Sequence, residues 1–268
     1  MAISQTHFRS ISLPSRLDDS KSLESEFEKL KCGSGSSESL QSGLVALAQL
    51  YNSFEEFSQK SSGIDDRKSV EESLSRSVDL LDACSAIREV LQMMRENVRA
   101  LQSAMRRKGT YSDSAVQNDV AAYFSLRKKM QKTVAKTLKT LRKSEIVTGS
   151  KSKSNNHSIN ADGEFSFVFE QLAGITSANL RSVLAFVSYA AERSLVSRLV
   201  AGKSRGGVNL NEIEDLDLGL RGKMRSDVAK KLQIVDEIIG ELEGGLERLF
   251  KQLIQTRVTL LNILTHQL

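Results

Sequence analysis

The chain has 268 residues, 40% hydrophobic and 26% charged, which suffices for one sizeable core or two small ones. Two cysteines argue against a disulfide framework and for a reducing, intracellular setting, expected to be the cytoplasm, and no run of about 18 apolar residues exists to cross a bilayer. The net charge of +5 is unevenly spread: Arg99 to Lys143 holds twelve Lys or Arg against two Asp, so that segment carries +10 and the remainder −5. A single proline, Pro14, no tryptophan and only 5% aromatics favour long helices over strands.

Residues 1 to 20 are Ser-rich, lack acids before Asp18 and carry no apolar periodicity, so they are expected to form a disordered tail. Ser22 to Lys31 reads as a short helix with Leu23, Phe27 and Leu30 on one side, broken by a Gly/Ser stretch. Leu40, Leu44, Leu47, Tyr51, Phe54 and Phe57 predict an amphipathic helix that ends before Ser61. From Asp65 a longer one follows, through Val70, Leu74, Val78, Leu81, Cys84, Ile87, Leu91, Met94, Val98, Leu101 and Met105. It closes on Arg106, Arg107, Lys108 and Gly109, where cations and glycine suit a C-terminus. Cys84 falls on that stripe and reads as a buried, inert thiol.

Ser112 or Ser114 can cap a further helix running to about Ile146. Its apolar side is Val120, Phe124, Leu126, Met130, Val134, Leu138 and Leu141. Lys128, Lys132, Lys136, Lys139 and Lys143 line the opposite side. Residues 147 to 163 read as a flexible internal linker. Glu164 to about Val200 predicts another helix, apolar around much of its girth near Val183 to Ala191. Asn209, with Glu212 three residues on, is an N-cap signal, and Gly219 and Gly222 interrupt before the last element.

That last element begins at Val228. Val228, Leu232, Val235, Ile239, Leu242, Leu246, Leu249, Leu253, Thr256, Leu260 and Ile263 alternate at steps of four and three, a narrow apolar seam on one helix that other helices must cover. Gly240, Gly244 and Gly245 lie inside it. Each costs about 1 kcal/mol relative to Ala, so either they are tolerated on the surface or a neighbouring helix comes very close.

Chemistry-bearing patterns are sparse. Cys32, Cys84, His7, His157 and His266 are too scattered to suggest a metal cluster. Gly202-Lys203-Ser204 lacks the preceding strand and has Ser197 where a P-loop needs Gly. No catalytic, cofactor or metal residue is assigned, and the chain is expected not to be an enzyme. Arg9, Ser12 and Pro14 have the spacing that 14-3-3 proteins read when the serine is phosphorylated. The lysine stripe fits a solvated face, contact with an anionic membrane surface, or nucleic-acid contact. Nothing aromatic is interleaved with it to favour the last, and Arg127-Lys128-Lys129 is only a weak nuclear signal.

Four blocks carry a family resemblance: His7 with RSISLPSR (Arg9 to Arg16), LDACSAIRE (Leu81 to Glu89), ALQSAMRRK (Ala100 to Lys108), and LEGGLERLFKQLIQTRVTLLNIL (Leu242 to Leu264). On these the chain resembles the plant-specific DUF241 family, also called the plant BPS1 family and associated with the name BYPASS1. Relatives commonly extend the N-terminal motif into a His-Pro pair, whereas here Leu17-Asp18 follows Arg16. The resemblance implies a helical family domain over residues 21 to 268 and a link to root and shoot development. It implies no known catalytic residue or cofactor. The expected fold is all-α, an elongated bundle of five or six helices with a long central C-terminal helix. The expected role is a non-enzymatic interaction protein with unknown protein partners. Candidate contacts are 14-3-3 proteins through Ser12 and an anionic membrane through Lys128 to Lys143, and a nuclear or peripheral-membrane pool is the alternative to a cytoplasmic one.

Overall fold

A computed structural model describes residues 36–60, 67–108, 114–152, 164–188, 211–222 and 227–266. Six α-helices are found among them: α1 (Ser37–Lys60), α2 (Arg67–Lys108), α3 (Ser114–Ser152), α4 (Glu164–Val187), α5 (Glu212–Leu220) and α6 (Val228–His266). The fold is an all-α bundle, and the described residues contain no strand. The tail with Arg9, Ser12 and Pro14, and the short helix expected at Ser22 to Lys31, lie outside the described residues.

The last helix is where the pattern predicts it. Ten of its eleven seam residues, Val228 through Leu260, are buried, and Ile263 is partly so. At about 1.5 Å per residue the seam runs for roughly 50 Å, and α1 and α2 cover most of it. Leu44 of α1 lies against Gly245, and Gln255 donates to Glu55, so α1 runs parallel to α6. Arg95 of α2 lies over Gly240, Arg88 over the Phe250 ring, and Arg257 donates to the Leu74 carbonyl, so α2 runs antiparallel to it. Helix α4 completes a square with the order α6–α1–α4–α2. It joins α1 through the Phe54–Phe169 rings, 5.8 Å apart, and the Tyr51–Thr176 hydroxyl pair at 3.0 Å. Helix α3 lies along the α2–α4 edge, and short α5 packs on the start of α6. Helix α2 therefore shares the central place with α6, because it touches α3 and α4 as well. One hydrophobic cluster runs through all six helices.

Three elements depart from the expected boundaries. Helix α3 continues to Ser152, past the expected end near Ile146, with Gly149 inside it. A single interior glycine is a weak breaker in a long cooperative helix. Helix α4 ends at Val187, and residues 189–210 lie outside the described ones. The N-cap of α5 is Asn211, two residues later than the expected Asn209, because Asn211 Oδ1 accepts from the Glu214 amide at 2.8 Å. In the first half of α2 the buried face also shifts. Val78 is 38% exposed, while Ser73, Arg76, Ser77 and Leu80 are buried. This stretch meets α4 as well as α6, and Arg76 lies 3.8 Å from the Glu170 carboxylate.

The glycines of α6 separate into two kinds. A Cβ on Gly245 would stand 3.0 Å from Leu44 Cβ, and one on Gly240 would stand 2.8 Å from an Arg95 guanidinium nitrogen. Both are sites of close approach. A Cβ on Gly244 would meet only Arg248, at 3.9 Å. Gly244→Ala should therefore raise stability by about 0.5–1 kcal/mol through helix propensity. Gly245→Ala sets that gain against overpacking of about 1–3 kcal/mol and should lower stability. Thermal melts of the two variants beside the parent check the opposite signs.

Candidate functional site

Helix α3 presents two chemically different faces. The inward one buries Val116, Val120, Tyr123, Met130, Val134 and Leu141, with Phe124, Leu126 and Leu138 partly covered. Arg127 lies on this inward face and is 1% exposed, although in sequence it heads the run Arg127-Lys128-Lys129. A helix turns about 100° per residue, so neighbours in sequence fall on different faces. Arg127 therefore separates from the two lysines beside it.

The surroundings of Arg127 explain its burial. The last carbonyls of a helix have no partner within it and form the negative end of its dipole. Helix α4 ends inside the bundle, where water is scarce. Arg127 Nη1 donates to the Val187 carbonyl, and Nη2 reaches Ser188 O at 3.4 Å. Asn211 Nδ2 donates to the Phe186 carbonyl at 3.0 Å. Asn211 thus serves two helices, since its Oδ1 caps α5. The remaining charge of Arg127 is met by Asp217 of α5, whose Oδ2 accepts from Nη2 at 3.1 Å. Its other oxygen, Oδ1, accepts from the Tyr123 hydroxyl at 2.8 Å. Arg221 stacks over Phe124 at 5.2 Å, and Lys231 donates to Asp215 at 2.8 Å. The result is a buried clasp that ties α3, the end of α4 and α5 together.

The outward face carries Lys128, Lys132, Lys136, Lys139 and Lys143, the five expected from sequence, and all are exposed. Lys129 and Arg142 are exposed too and extend the face. At 3.6 residues per turn the seven cations occupy about 140° of the helix and roughly 22 Å of its length. None of the seven is paired with a carboxylate among the described residues. Seven exposed cations on so short a row make a strong local positive potential.

Elsewhere, polar chemistry serves the frame. Arg95 bridges Asp236, at 3.2 Å, and Glu243, while Arg99 reaches Asp236 at 2.9 Å. Cys84 is fully buried, and burial pushes its thiol up from 9.0 to about 12. It stays protonated at neutral pH and is a poor nucleophile there. Burial likewise raises the Tyr51 hydroxyl, against the lowering effect of its hydrogen bond with Thr176. Among the described residues, no group of three or more His, Cys, Asp or Glu is placed to hold a metal ion. No described helix is long and apolar enough to cross a membrane. Sequence groups Arg127 with Lys128 and Lys129 and does not point to Asp217. The signal that sequence does carry is angular: Arg127 falls in line with Tyr123, Met130 and Val134 rather than with the lysines.

The fold and its surfaces define an all-helical protein in which one helix face is strongly cationic. Among protein families, the model described as Protein BPS1 matches residues 43–263, and the chain belongs to that family. No curated protein and no solved structure gives a significant match.

Removing Asp217 should leave the Arg127 charge buried without its carboxylate. Asp217→Ala is expected to lower unfolding free energy by about 3–5 kcal/mol, and Tyr123→Phe by about 1.5–3 kcal/mol. Because both act on the same carboxylate, the double variant should cost less than the sum of the two. Urea unfolding of the three variants measures this.

Proposed function

We propose that the protein is a non-enzymatic interaction and regulatory protein of plant development that works through its surfaces. Membership of the BPS1 family supports the regulatory and developmental part of this reading. The observation that carries the non-enzymatic part is the fate of the ionisable groups buried among the described residues. Arg127 and Asp217 neutralise each other, Arg76 faces Glu170, and the Cys84 thiol is held protonated by burial. Each is engaged in joining helices or is rendered inert, and a general acid, base or nucleophile needs to be free to act. The regulated tail belongs to the same reading: phosphorylated Ser12, with Arg9 and Pro14, suits a 14-3-3 groove.

A second reading is favoured by one specific observation. The seven exposed cations of α3, without described carboxylate partners, suit an anionic membrane surface, where each contributes about 1 kcal/mol. The two readings are compatible, since the tail and α3 are different parts of the chain.

Proximity labelling in plant tissue with the full chain and with its Ser12→Ala variant tests the leading reading. The expected result is a reproducible set of neighbouring proteins that includes 14-3-3 proteins and loses them in the variant. Labelling no higher than that of an unfused control would overturn the interaction role. 14-3-3 labelling that ignores Ser12 would remove the tail motif from it.

A further inference from the structure

The cationic face of α3 can be read further, because its composition, its shape and its place in the bundle are all fixed. Resting on the membrane reading above, we propose that α3 is a rigid, non-inserting platform. It holds the bundle side-on against an anionic lipid surface and turns the α1–α6 edge away from it.

The composition excludes insertion. Exposed large apolar side chains are found on other helices, among them Val45 on α1 and Ile234, Ile254, Val258 and Leu261 on α6. None lies on α3. A helix that enters a bilayer needs an apolar face for the acyl boundary, and the apolar face of α3 is spent on the core. What remains outward is charge with small residues such as Ala135 between. Binding must then be electrostatic.

The kind of cation bears on the lipid chemistry. Six of the seven are lysines, which act as flexible point charges, and only Arg142 offers a bidentate fork. They stand on the convex side of a helix. A convex row of mobile ammonium groups responds to the density of negative charge on a flat surface, with no site shaped for one headgroup. A single-stranded nucleic acid would offer charge as well, but its binding sites interleave aromatic stacking platforms with the cations. No exposed large aromatic lies on α3.

The place in the bundle sets the orientation. Helix α3 packs on α2 and α4, the edge of the square opposite α1 and α6. The Arg127–Asp217 pair and the buried stripe from Val116 to Leu141 keep the helix from rolling. The cations therefore cannot approach a surface without the whole bundle, and the α1–α6 edge faces the other way.

The test is co-sedimentation of the full chain with vesicles of phosphatidylcholine alone and with phosphatidylserine added. Binding should require phosphatidylserine and should fall away at high salt, where the Debye length shrinks to about 3 Å. Each lysine neutralised should lower partition about fivefold, so Lys132→Gln, Lys136→Gln and Lys139→Gln together should lower it roughly a hundredfold. All three are exposed, so the melting temperature should hold. Orientation is read separately, with a fluorophore at Ala135→Cys or at Ile254→Cys in a Cys32→Ser background and a quencher carried on the lipid headgroups. Quenching is expected at position 135 and not at 254. Equal quenching at both, with phosphatidylserine-dependent binding intact, would overturn the platform and leave the membrane reading standing. No binding to the anionic vesicles, or binding to phosphatidylcholine alone, would overturn the membrane reading itself.

Discussion

The structure depends on one constraint: a roughly 50 Å apolar seam on α6 that has to be kept from water. Val228 to Leu260 lie along it, every seam residue among them buried. Burying each large aliphatic side chain is worth about 1.5–3 kcal/mol, so a helix with nine such positions is unstable alone and strongly stabilised when covered. Helices α1 and α2 supply the cover from opposite chain directions. Close approach is possible because Gly245 yields space to Leu44, and Gly240 lets the Arg95 guanidinium lie across the backbone to reach Asp236 and Glu243. Packing and ion pairing thus converge on the same short stretch of α6.

The remaining helices follow from what α1 and α2 leave open. Helix α4 fills the side of the square away from α6, and α3 covers the α2–α4 edge. Ending α4 within the bundle creates a problem that an apolar core cannot solve, since its last carbonyls need donors. Arg127 and Asn211 supply them, and Asp217 balances the cation. A buried ion pair adds little stability beyond what a hydrophobic replacement would give, but it fixes one arrangement because the alternatives leave charge unpaired. Here the arrangement fixed is the roll of α3, and hence the direction in which its lysines point.

The legible part of the fold was the part that rests on periodicity. The α6 seam, the α1 stripe, the burial of Cys84 and the lysine row all follow from spacing alone, because a helix converts spacing directly into facing. The features that escaped depend on what stands opposite. Spacing puts Gly244 opposite the seam and Gly245 at its border, but the 3.0 Å approach at Gly245 depends on where Leu44 stands. Val78 fits the stripe of α2 yet is 38% exposed, while the polar Arg76 is buried because Glu170 lies near it. Arg127 was grouped with Lys128 and Lys129 by adjacency, whereas its partners come from residues 60 and 90 positions away. The candidate surface was legible as five lysines, and Lys129 and Arg142 join it once the exposed arc is known.

Helix α6 is held within the bundle by α1 and α2 along its seam. Amide hydrogen exchange over residues 228–266 tests it most directly. Amides from Leu232 to Leu253 should exchange only on global unfolding, at the same slow rate as those of α2 from Cys84 to Leu101. Exchange of that stretch within seconds, as for a helix alone in water, would contradict it.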